Sequence, residues 1–133
     1  MNRQRLGNVL IYSTSGLLIV TGGLHLSGFG SINAMAQSAT PDQIHALLPS
    51  LWLAIGVDLI AIGLIVGLVA IENSNGGRYV LFAAAICPWG AALVQIAYFG
   101  FIPPTALLLL DGAMAIASAV VREARRRRST IGA

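Results

Sequence analysis

The chain has 133 residues, 56% of them hydrophobic and only 10% charged, with a mean hydropathy of +0.80 and a formal net charge of +3. Soluble domains are nearer ~45–50% apolar and ~25% charged, so this chain has too little polar surface to meet water, and the bilayer is the expected solvent. The absence of lysine excludes Schiff-base cofactor chemistry, the single Cys87 excludes an intramolecular disulfide, a CxxC pair and a thiolate metal cluster, and two histidines are too few for a multi-histidine haem or copper site.

Four apolar windows follow in chain order, at 6–29, 50–71, 79–101 and 104–121, each near the ~17–25 residues that carry a helix across a ~30 Å hydrocarbon layer. They predict an all-α fold: an integral membrane four-helix bundle forming one domain over residues 1–133, with a short Arg-rich tail at 122–133. Basic residues 1–5, an apolar run and Ala34-Met35-Ala36 before Gln37 imitate a cleavable signal peptide. The run exceeds the ~7–15 residues of an ordinary signal core, so the expectation is a retained span rather than loss of residues 1–36.

The longest connection, 31–49, contains Thr40-Pro41-Asp42-Gln43. Threonine as cap, proline at the first helical position and glutamine closing the box predict a short interfacial helix from Pro41, which Pro49 would end or kink before the second span. The polar stretch 72–77 reads as a short turn, and the apolar stretch 100–104, with Pro103 and Pro104, as a tight turn into the last helix. The last window is the shortest and gains length from a helical start to the Arg tail, whose long side chains snorkel to the interface.

All eight basic residues are arginines. Arg3 and Arg5 precede the first span, Arg78 lies between the second and third, and Arg122, Arg125, Arg126, Arg127 and Arg128 follow the fourth; neither of the other two connections carries one. The positive-inside rule then puts both termini and the 72–78 turn in the cytoplasm and the 31–49 loop outside, as for a bacterial cytoplasmic (inner) membrane protein. The arginines of 122–128 are placed to contact anionic lipid headgroups, at about 1 kcal/mol per basic residue. No soluble domain accompanies them, which argues against nucleic acid as the partner of this basic chain of pI about 9.8.

Polar side chains inside the windows carry the functional signal, because an acid at the centre of a span costs about 2.5–3.5 kcal/mol on insertion scales and is normally sheltered for a reason. At ~1.5 Å of rise per residue from the outer end, Asp58 lies roughly 12 Å deep, Asp111 roughly 10 Å, Gln95 roughly 9 Å and His25 roughly 6 Å. Each span thus offers one polar group to the outer half of the membrane. Facing inward together, the four would line an outer-side polar cavity.

Helical rotation sets Thr14, Thr21, His25 and Gly28 on one face with Leu18, and Asp111 with Met114, Ala115 and Ser118. Gln95 lies with Ala84, Pro88 and Ala91, where Pro88 withdraws a donor from the Ala84 carbonyl and leaves either a spare acceptor or a kink. Asp58 lies with Ala54, Ala61 and Ile65, opposite Gly56, Gly63 and Gly67; the Gly63-xxx-Gly67 pair marks a separate close-packing surface, for a neighbouring helix or another protomer. The tryptophans and tyrosines read as interface anchors or packing groups, and Cys87 as a small packing residue.

Two carboxylates close together in low dielectric resist carrying both charges, so an Asp58/Asp111 pair calls for a shared proton, His25 as a cation, or a cationic ligand. Three function classes stay open. The first is binding or transport of a small cationic or amphipathic ligand, with possible proton linkage, through Asp58, Asp111, Gln95 and His25. The second is an accessory subunit of a larger membrane complex, held by the glycine face and the Arg tail. The third is a membrane enzyme in which Asp58, Asp111 and His25 do acid–base work on a lipid-soluble substrate. None of these needs a cofactor or a metal, and a homo-oligomer or larger membrane complex is expected as the assembled state.

Overall fold

A computed structural model describes residues 3–39, 47–72 and 76–131. These form helices α1 (Arg3–Ser27), α2 (Phe29–Ala39), α3 (Leu47–Glu72), α4 (Gly77–Phe99) and α5 (Pro103–Ile131). Four contain segments long and apolar enough to cross a membrane, Arg5–Ser27, Leu47–Glu72, Gly77–Ala97 and Pro103–Ala124. The all-helical fold with four such helices is the one the apolar windows predict.

Two local features differ from the sequence expectation, and a third goes further in the expected direction. Residues Phe29–Ala39, read as the start of a loop, are helical: only Gly28 interrupts α1 from α2, and its N–H still reaches the Leu24 and His25 carbonyls, both at 3.1 Å. Glycine and short polar side chains in 29–39 disguise the helix, while Ala36 is buried and the element packs on α3. The expected interfacial helix from Pro41 begins outside the described residues. Pro49 ends nothing; it is the third residue of α3, where the backbone N–H has no intrahelical acceptor to lose. The third is the last helix, which continues through the arginines to Ile131. There Glu123 bonds Arg78 of α4 and, at 2.9 Å, Arg127 one turn on, which offsets repulsion within the basic run.

The four long helices form a ring in which α1 touches α3, α3 touches α4, α4 touches α5 and α5 touches α1, while the diagonal pairs α1/α4 and α3/α5 make no direct backbone approach among the described residues. Leu18, Leu59, Val66, Leu81 and Leu108 fill the centre. The α1/α3 seam is the tightest. A Cβ on Gly22 would stand 2.6 Å from the Gly56 carbonyl, and one on Gly63 3.0 Å from the Ser15 carbonyl. Ser15 Oγ uses that approach to donate to the Gly63 carbonyl at 2.7 Å. The glycine surface of α3 is therefore occupied by the chain's own α1. Across the ring, the Trp89 indole lies on Gly112, with no room for a Cβ, and donates to the Leu109 carbonyl at 3.1 Å.

Candidate functional site

Of the four polar residues singled out in the spans, three face the interior. His25, Gln95 and Asp111 are buried, whereas Asp58 is exposed on the outside of the bundle. Convergence of all four fails at α3 for a packing reason. Asp58 and the glycines lie on opposite sides of the same helix, and close approach of α1 to Gly56 and Gly63 turns the acid outward. Asp58 and Asp111 thus pose no joint proton problem.

At the expected outer end, His25 and Gln95 reach across the α1/α4 diagonal. A carbonyl only accepts, so His25 Nδ1 carries the proton donated to the Thr21 carbonyl at 3.2 Å, and Nε2 is left to accept from Gln95 Nε2 at 3.5 Å. Gln95 Oε1 then accepts from the Thr105 hydroxyl at 3.0 Å, which itself accepts from the Ile102 N–H at 3.5 Å. Every bond in this chain runs in one direction and uses a neutral imidazole. Trp52 covers it, stacked on His25 with ring centroids 4.7 Å apart and its indole N–H donating to the His25 carbonyl at 2.5 Å.

Thr105 and Trp52 escape a reading from sequence. Thr105 sits behind Pro103 and Pro104 in the first turn of α5, where its hydroxyl serves the turn and Gln95 together. A hydroxyl placed so near a helix start reads as local capping. Trp52 lies one and a half turns into α3, where an aromatic reads as an interface anchor.

Deeper between α1 and α5, Thr14 Oγ1 and Ser118 Oγ are 2.9 Å apart, and Thr14 Oγ1 also lies 2.8 Å from the Leu10 carbonyl and 3.2 Å from that of Met114. Because both carbonyls only accept, the Thr14 proton goes to one of them and Ser118 donates to Thr14. This level too is satisfied.

The level between holds the loosest contact. Asp111 is 0% exposed, and the polar group that faces its carboxyl is the Thr21 hydroxyl across the α1/α5 interface, close enough to interact but outside full hydrogen-bond distance; among the described residues neither group has another partner. Leu18, Leu108 and Ala115, all fully buried, flank this pair along the two helices. Buried polar groups are bonded in the great majority of cases, and leaving one unpaired costs about 1–3 kcal/mol, more if it is charged. Asp111 is thus the one ionisable carboxyl buried among the described residues of the bundle, faced by a single neutral hydroxyl.

With this geometry described, comparison finds no match between the chain and any model of a known protein family, any curated protein or any solved structure.

Proposed function

We propose that the chain is a small integral membrane protein that binds a small cationic or amphipathic ligand, with proton linkage, between α1 and α5 at Asp111. The observation that carries this reading is the fully buried carboxyl of Asp111, faced among the described residues by no charged group and by one neutral hydroxyl, that of Thr21. On this reading the ligand takes the place of a proton at the carboxyl, because a low-dielectric interior disfavours an uncompensated charge, so ligand entry and proton release are one exchange. Thr21 supplies a neutral contact beside the carboxyl. The His25–Gln95–Thr105 chain forms the roof, and its use of neutral His25 couples it to protons as well: a second proton on Nε2 would turn the Gln95 amide from donor to repelled neighbour.

The arginine distribution supports a cytoplasmic position for both termini, and the tail supports contact with anionic headgroups. The accessory-subunit reading loses the glycine face, which α1 covers. The enzyme reading loses its acid pair, because Asp58 and Asp111 are on opposite sides of the bundle wall.

The test uses purified protein in detergent micelles and tetraphenylphosphonium, a lipophilic cation. Titration in weakly buffered solution is expected to show saturable binding with proton release on the order of one per site, and both are expected to vanish in Asp111→Asn while the helical spectrum is kept. Binding and proton release unchanged in that variant overturn the reading.

A further inference from the structure

On the outer wall of α3, Leu47, Leu51, Ala54, Asp58, Ala61, Ile65, Leu68 and Glu72 are all exposed. Their spacing alternates four and three, the repeat that keeps one seam facing a partner helix in a left-handed pair. Asp58 is the one polar residue in the membrane portion of this seam and has no hydrogen bond or ion pair among the described residues; Cys87 of α4 is a titratable group within its electrostatic reach. A lone carboxyl on a lipid-facing wall is costly. Among the described residues no arginine is at its depth: Asp58 lies roughly 21 Å along the helix from Glu72, at the end where Arg78 and Arg122 stand.

From these observations we infer that α3 is the contact helix of a symmetric dimer, with a second copy of this chain as the occupant of the seam. Two copies inserted in the same sense bring Asp58 opposite Asp58 across a two-fold axis, the commonest symmetry of homo-oligomers. A cation is what a second copy lacks at that depth; a second carboxyl is what it has. Two carboxyl groups that hold a proton between them each gain a partner, and Ala54 and Ala61 on either side let the helices come close enough for it. The inner face of α3 is spent on α1 through its glycines, so one helix serves two seams: glycine inward, carboxyl outward.

The dimer is independent of the Asp111 site and is tested apart from it. Sedimentation equilibrium in density-matched detergent micelles is expected to give a reversible monomer–dimer equilibrium. Asp58→Asn, whose amide also pairs with itself, is expected to keep the association constant within about threefold, and Asp58→Leu to lower it about tenfold or more. Asp58 is outside the packed interior, so both variants should fold. In a Cys87→Ser background, oxidation is expected to join Ala54→Cys or Ala61→Cys across copies, and not Leu110→Cys on the exposed side of α5, whose backbone does not approach α3 among the described residues. A wild-type chain that stays monomeric, a dimer indifferent to Asp58→Leu, or a stable assembly with a different protein on this seam overturns the inference.

Discussion

Asp58 and Asp111 are the same side chain at nearly the same depth, and the bundle treats them in opposite ways. Depth was legible from the sequence, because helical rise converts residue counts directly into ångströms. Facing was legible for His25, Gln95 and Asp111 only as a shared stripe, and for Asp58 the stripe argument leaves the direction open. A helix with an acid on one side and glycines on the other has two candidate inner faces, and nothing in the sequence of α3 by itself says which one α1 will choose. What decides is backbone approach, which depends on the partner helix. At the roof of the site, Gln95 bonds His25 and Thr105 at once. Gln95→Leu is therefore expected to cost about 1–2 kcal/mol in reversible unfolding in mixed micelles. Adding Thr105→Val should cost less on top of it than it does in the wild-type chain, since the shared bond is already gone. Additive costs would show that the chain of bonds does not act as a unit.

At the scale of elements, length and apolarity made four helices visible, while α2 and the extent of α5 were not. Residues Phe29–Ala39 lack the unbroken apolarity of a span and contain turn-forming residue types; their helix is held by the near-continuous ladder through Gly28 and by burial of Ala36. The α5 extension depends on Glu123 being within reach of both Arg78 and Arg127, a relation between two distant segments. The glycine seam sets the largest single-residue demands. Gly63→Val is expected to destabilise by about 1–3 kcal/mol, because the new side chain meets the Ser15 carbonyl and Ile19 rather than a flexible end. Gly23→Ala, with nothing within 4 Å of its Cβ, should be neutral or stabilise by up to about 1 kcal/mol. Equal effects from the two would mean that α1 and α3 are not in close contact.

Among the described residues the bundle is electrically lopsided. The neutral hydrogen-bond chain of the site lies at one end, and at the other Arg122 of α5 reaches across the α3/α5 diagonal to donate to the Val69 carbonyl at 3.1 Å, its guanidinium lying over Gly77. Sequence placed the arginines at one side of the membrane; it did not show that one of them turns back over the mouth of the bundle, since Arg122 reads as the first residue of a solvated tail. Such a placement matters for anything positive held at Asp111. Moving on toward Arg122 means approaching a guanidinium through a region of low dielectric, where like charges repel strongly, whereas the described groups on the way back are the neutral His25, Gln95 and Thr105. On the proposed reading the bundle is a cul-de-sac, from which a cation leaves by the door it entered. Reconstituted vesicles are accordingly expected to bind tetraphenylphosphonium to saturation without any increase in its flux across the bilayer. Arg122→Gln, with the barrier lowered, is the variant in which flux should first appear. A wild-type chain that already passes the cation at a protein-dependent rate would mean that Arg122 is no stopper. With Arg122 as the stopper, the proposed site would answer a cation by its occupancy, full or empty, and not by flux.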